Sequence, residues 1–224
     1  RRVFADYGIP VFVDATRPVL LNPMLELIRA ALEALNQDFR YAGMFRYLRT
    51  GLAGAERDEI DLLENYVLAA GIRGRARWNQ EWEQTTKTFE AQEVSRCNEI
   101  RRKVMEPLEQ FASKVRGRGK KTARELTEAL YDLLASLRIQ EQMEAYRTAF
   151  VASGELERAR EYGQIYGIVI GLLDKVVELL GEEQVNLREF TEILEAGFEE
   201  VRVGNIPPTA DQVLVGDLER TRLK

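Results

Sequence analysis

Between residues 72 and 84 the chain reads IRGRARWNQEWEQ, setting Arg73, Arg75 and Arg77 beside Trp78 and Trp82. Guanidiniums next to indole rings are the combination that stacks nucleobases and pairs with a strand backbone. Trp78 and Trp82 share a helix face if a helix begins near Trp78. That spacing also serves core packing or an interface, which is the plainer reading of the pair. A second basic group, Arg116, Arg118, Lys120 and Lys121, lies in the turn before Thr122, where side-chain cations and helix-terminal N–H donors can converge on phosphate. A solvated interhelical loop is its alternative. GRGKKT does not make a nucleotide site, because the GxxxxGK[ST] spacing and the buried strand before it are absent.

Other chemistry is poorly served. The chain has no His, which removes imidazole as general base, zinc ligand and pH switch. Carboxylate runs such as Asp58, Glu59 and Asp61, or Glu199 and Glu200, show no metal-ligand spacing and read as solvated helix faces. Cys97 has no partner, so no disulfide framework exists and a reducing, cytoplasmic setting follows. By itself the chain reads as non-catalytic. With 32 basic and 37 acidic residues its net charge of −5 disfavours nucleic-acid binding over the whole surface, so any such binding is local. The longest apolar run, IYGIVIGLL at 165–173, falls well short of the roughly 20 residues a bilayer span needs, so no membrane role is expected. The start RRVFADYG has neither Met nor a signal peptide, and the end DQVLVGDLERTRLK stops in charge, so both ends read as cuts in a longer chain.

The elements that must position these residues are mostly helical. Val11 to Val13 is a short apolar run without alternation, predicting a strand covered on both faces, as in a parallel sheet. A helix is predicted over 22–35, with Asn22 as cap and Pro23 at its first position. Further helices are predicted in RYAGMFRYLRTGL, closing near Gly51, and in AERDEIDLLENYVLAAG, closing at Gly71. They continue over 93–116, with a kink or junction at Pro107, and from Thr122, whose Glu125 has the capping-box spacing. QEQMEAYRTAFVASG continues the helical pattern, 155–181 is the longest periodic segment, and a last helix follows Asn186 with Glu189 three positions on. Residues 72–84 are the least helix-like part of the middle. No internal repeat of fixed period is evident. The turn NIPP returns the chain to a strand at Val213 to Val215. The predicted fold is therefore mainly α, a bundle-like inserted domain with β stubs at both ends.

Four stretches, YGIPVFVDATRPVLLNPMLELIRAALE, MFRYLRTGL, EIDLLENYVLAAGIRG and IPPTADQVLVGDLERTR, together resemble the AddB family of bacterial AddAB helicase-nucleases. LENYVLAAGIRG and DQVLVGDLERTR are the specific ones. The resemblance implies that residues 1–36 begin the second RecA-like domain, 37–203 form its helical 2B-like insertion, and 204–224 re-enter the host sheet. Where an active superfamily 1 motor carries a Thr-x-His-x-x-Lys-Gly-Leu-Glu type of motif, this chain reads VLVGDLERTR, which implies a non-motor scaffold. Glu219, Arg220 and Arg222 are then candidates for DNA or interdomain contacts. The implied parent is an ATP-dependent helicase and exonuclease subunit using Mg2+ and a 4Fe-4S cluster, both outside this segment. The implied partners are an AddA-like motor subunit, DNA and the remaining domains of the parent. Shaping of the DNA channel and of subunit contacts is the expected role, with a protein scaffold that never touches DNA as the alternative.

Overall fold

The computed structural model describes residues 22–117 and 119–200 in full, together with the backbone of strand residues 11–13, 17–18, 202–203 and 213–215. Strands β1 (Val11–Val13) and β2 (Arg17–Pro18) precede helices α1 (Pro23–Asn36), α2 (Tyr41–Leu48), α3 (Arg57–Ala69), α4 (Gly74–Trp78) and α5 (Ala91–Val115). Then come β3 (Lys121–Thr122), α6 (Ala123–Ser136), α7 (Ile139–Ala152), α8 (Leu156–Leu180), β4 (Gln184–Val185) and α9 (Leu187–Glu200). β5 (Arg202–Val203) and β6 (Val213–Val215) close the order. The protein is mainly α with short β pieces at either end.

Helix starts follow local chemistry. Asn22 Oδ1 accepts from the Met24 N–H at 3.0 Å, and Pro23 occupies the first turn of α1, where its missing N–H costs nothing. The Thr122 hydroxyl and the Glu125 carboxylate bond each other's backbone N–H at 3.2 and 2.8 Å to open α6. Asn186 and Glu189 repeat the exchange at α9, at 2.9 and 2.7 Å. At Pro107 the expected kink or junction is instead one helix, since α5 runs through it for 25 residues. The pair β3 and β4 was not foreseen. It is antiparallel, with Lys121 opposite Val185, and fastens the start of α6 to the turn between α8 and α9.

One apolar core runs from Met24 to Phe198. α1 is buried on most sides, by α2 on one flank and α9 on another. α1 and α2 approach closely at Gly43, where an added Cβ would lie 3.1 Å from the Ala34 Cα. α5 joins α3 to α6, and the hairpin of α7 and α8 packs on α6. The chain returns to its point of departure. β1 pairs in parallel with β6, Val11 against Val213 and Val13 against Val215, and β2 pairs antiparallel with β5. α1 and α9 run antiparallel, because Arg29 meets Glu195 while Asn36, further along α1, meets Thr191, earlier in α9.

Candidate nucleic-acid interface

Trp78 and Trp82, the candidates for stacking or interface contact, lie in the core at 0% and 4% exposure. Trp82 stacks on Tyr66 with ring centroids 5.2 Å apart and meets Trp78 edge-on at 5.5 Å, while Phe45 and Phe89 complete the cluster. Neither indole offers a face to a base. Packing, the plainer reading of their spacing, accounts for both. Residues 79–90, which contain no regular element, are held by side chains of α5. Asn98 Oδ1 accepts from the Trp82 N–H at 3.0 Å and Asn98 Nδ2 donates to the Trp82 carbonyl at 2.7 Å, so one amide satisfies both main-chain groups. Beside it Arg101, itself buried, donates to the Trp78 carbonyl at 2.8 Å and lies over the Trp82 ring. Burial works against its charge, and Glu81 offsets this from 3.3 Å.

The three arginines of this segment have three different situations. Arg75 is held on Glu109, donating through Nε at 2.9 Å and through a second nitrogen, and Asn79 completes the group. The bond from Arg75 holds the Glu109 carboxyl below its ordinary range. Arg77 is exposed, and its carbonyl takes the Trp82 indole N–H at 2.8 Å. Arg73 is exposed and its side chain has no partner among the described residues.

The basic turn is largely tied to acids. Arg116 donates to Asp38 at 3.3 Å and to the Leu35 carbonyl at 2.6 Å, with its guanidinium over the Phe39 ring. Lys120 faces Glu189 at 3.7 Å and Lys121 faces Glu125 at 3.6 Å. Arg118, Glu219, Arg220 and Arg222 lie outside the described residues. Exposed pairs of this kind contribute little to stability and exchange readily for a stronger anion.

Two features have no signature in the sequence. Glu64 in α3, 8% exposed, accepts from Arg49 at 2.6 and 2.7 Å and from the Tyr41 hydroxyl, which fixes α2 against α3. That carboxylate holds the phenol of Tyr41 above its ordinary pKa. The second is a groove of about 1000 Å³ lined by Asn36 to Asp38, Arg40 to Ala42, Val67, Leu68 and Gly71 to Gly74. It brings Arg73 together with Arg40, which sequence reasoning had passed over.

Comparison with known proteins places this architecture. No family model matches the chain. It is 43% identical over 222 residues to the AddB subunit of the ATP-dependent helicase/deoxyribonuclease of Clostridium novyi, covering 99% of this chain and 19% of that protein. Identity to the protein of the same name from Lachnoclostridium phytofermentans is 44% over 220 residues, 97% of this chain and 19% of that one. For Symbiobacterium thermophilum it is 41% over 234 residues, 98% and 20% respectively. The chain belongs to the AddB family. It spans about one fifth of the length of these AddB relatives. Family membership ties it to the AddAB machinery of break resection and recombination. Among the described residues of this AddB chain, no group of three or more His, Cys, Asp or Glu is placed to hold a metal ion. No described helix is long and apolar enough to cross a membrane. Buried Cys97 is the chain's single thiol, so the chain cannot supply the four thiolates of a 4Fe-4S cluster.

Proposed function

We propose that this segment is a non-catalytic helical insertion of an AddB-family protein, which shapes the DNA channel and the contact with an AddA-type motor subunit during resection of double-strand breaks. In this reading residues 37–203 form the insertion and 1–36 and 204–224 belong to a RecA-like host domain. The parent is an ATP-dependent helicase and exonuclease subunit whose Mg2+ and iron-sulfur sites lie in other segments. The observation that carries the reading is the pairing of β1 with β6. Two neighbouring parallel strands separated by the whole helical body are what an insertion into a parallel sheet leaves behind. Uncommitted or exchangeable cations at Arg73, Arg77, Lys120 and Lys121 supply the local positive charge that a net-acidic chain needs in order to meet DNA.

A scaffold that touches only protein is supported by a different observation. Tyr146, Val151 and Leu156 stand exposed at and near the turn of the α7–α8 hairpin. Fluorescence anisotropy of labelled forked DNA, titrated with the chain at low and moderate salt, separates the two. Binding that weakens steeply with salt is expected, whereas no binding at either salt, alone or with the motor subunit, would leave the scaffold role.

A further inference from the structure

The groove beside Arg73 is built from two copies of one corner, and resting on the DNA-contact reading above, we propose that it grips the phosphodiester backbone of a DNA strand through Arg40 and Arg73. The first corner ends α1. Phe39 N–H bonds the Ala34 carbonyl at 2.7 Å and Gln37 N–H bonds Glu33 at 2.9 Å, with Asp38 left-handed at φ 53°. The second ends α3. Ile72 N–H bonds the Val67 carbonyl at 3.0 Å and Ala70 N–H bonds Tyr66 at 2.8 Å, with Gly71 left-handed at φ 64°. Both are helix ends closed by a left-handed residue, a form that buries the apolar residue following it. Phe39 and Ile72 are those residues, at 0% and 2% exposure. The next residue in each corner is an arginine, turned outward.

The corners abut. An added Cβ on Gly74 would lie 3.2 Å from Asp38 Oδ2, so the two arginine-bearing turns are neighbours across one groove. Neither arginine contributes a bond to the fold. Arg40 and Arg73 are exposed and their side chains make no hydrogen bond or ion pair among the described residues, whereas Arg46, Arg49, Arg75 and Arg116 nearby are all committed to carboxylates. Asp38, the one acid of the lining, is already engaged by Arg116. Other uncommitted cations, such as Arg57, Arg96 and Lys175, sit on separate helices. What distinguishes Arg40 and Arg73 is that equivalent corners deliver them to the same groove.

Two forked donors over a groove suit successive phosphates, since a guanidinium takes two phosphate oxygens at once. Leu68, 59% exposed, and the Tyr41 ring, fixed through Glu64, give the apolar surface against which a sugar or base rests. An acidic protein surface would use the charges but not that floor.

The test is anisotropy of labelled single-stranded oligothymidine with the chain over a range of salt. It compares wild type, R40Q/R73Q, R40K/R73K, and a control, K175Q/R188Q, with the same change in charge on α8 and α9. Each single-strand phosphate contact contributes about 0.7 to the slope of log K against log salt. R40Q/R73Q should therefore lower the slope by about 1.4 and weaken binding at least tenfold, with the urea midpoint unchanged because neither side chain is bonded. R40K/R73K should keep the slope while losing affinity, and the control should keep both. An R40Q/R73Q slope equal to wild type, or matched by the control, overturns the groove and leaves DNA contact elsewhere intact. Absence of DNA binding by the wild-type chain overturns both. Displacement of DNA by polyglutamate without any effect of R40Q/R73Q on the slope reassigns the groove to an acidic protein.

Discussion

Replacing Asn98 with Ala removes the amide that satisfies both main-chain groups of Trp82, in a region that water does not reach. Asn98 is 3% exposed and Trp82 4%, so the Trp82 N–H and carbonyl, bonded at 3.0 and 2.7 Å, would be left buried without partners. Arg101 Nε loses its acceptor at 3.1 Å as well. A buried orphan of this kind costs about 1–3 kcal/mol, so two main-chain groups give about 3 kcal/mol, with Arg101 relaxing toward Glu81. For a domain of this size that lowers Tm by about 6–12 °C. Asn98→Asp keeps the acceptor for Trp82 and for Arg101 and loses only the donor, so it should cost about half as much. The assay is urea unfolding followed by tryptophan fluorescence, which reports this site directly because Trp78 and Trp82 are the chain's 2 tryptophans. A loss below about 1 kcal/mol for Asn98→Ala at unchanged m-value would refute the reasoning. Residues 79–90 would then be a loosely held loop, and the burial of the tryptophans would no longer argue against a nucleic-acid role.

Two further predictions concern titrating groups. Burial pushes the Cys97 thiol up to about 11, so its contribution to stability is complete below the unfolded thiol's pKa of about 8.5 and is lost as pH rises toward 11. Native protein should resist Ellman's reagent at pH 8 and react fully in urea, and stoichiometric labelling of the native state would contradict the packing. Glu109 is held below the usual carboxylate range by Arg75, so the stability it supplies is present above the unfolded pKa of about 4.3 and disappears as pH falls through its lower folded value. The urea midpoint of E109Q should trail wild type at pH 7 and converge with it in acid. A gap that stays constant with pH would assign the effect to packing instead.

What the sequence disclosed is what short range decides. Asn22 before Pro23, Thr122 before Glu125 and Asn186 before Glu189 each start a helix through contacts within three residues, so their signals survive without the fold. The strand at Val11 was legible as parallel because it lacks alternation, and its partner 202 residues away confirms that inference. The site was less legible because its partners are remote. Trp78 and Trp82 advertise a ring pair, but their burial is set by Tyr66 of α3 and Asn98 and Arg101 of α5. The charges of the basic turn were visible, but not that Asp38 and Glu189 would meet Arg116 and Lys120. β3 and β4, two residues each, carry no periodicity for a sequence to show. Arg40 lay in QDFRYAG without a neighbouring aromatic or basic cluster to mark it. The usable signal was a short echo, Asp-Phe-Arg at 38–40 and Gly-Ile-Arg at 71–73. In each, a residue tolerant of left-handed backbone is followed by an apolar residue and an arginine.

The packing of α1 leads to a last prediction about where an independently folding unit begins. Excision at residue 37 would follow the change from β-rich to helical sequence, but it would discard Leu25, Ile28, Leu32 and Leu35, all at 2% exposure or less. It would also strip α2 of the helix it packs on at Gly43 and leave α9 without its antiparallel neighbour. Each fully buried Leu or Ile is worth about 1.5–3 kcal/mol, so four of them exceed a large part of the stability a domain normally has. Segment 22–200 retains every one of these contacts, and its ends lie close together because α1 and α9 are antiparallel. It needs no strand of the host sheet to close its core, and the entropy of joining its ends is met by its own packing. Segment 22–200 should therefore unfold cooperatively in urea, with helical far-ultraviolet dichroism and the Cys97 thiol protected, while 37–200 should bind hydrophobic dye and melt without a cooperative transition. If 37–200 folds as sharply as 22–200, α1 is dispensable to the helical body. If neither folds, the β1–β6 and β2–β5 pairings are part of its stability rather than merely its attachment.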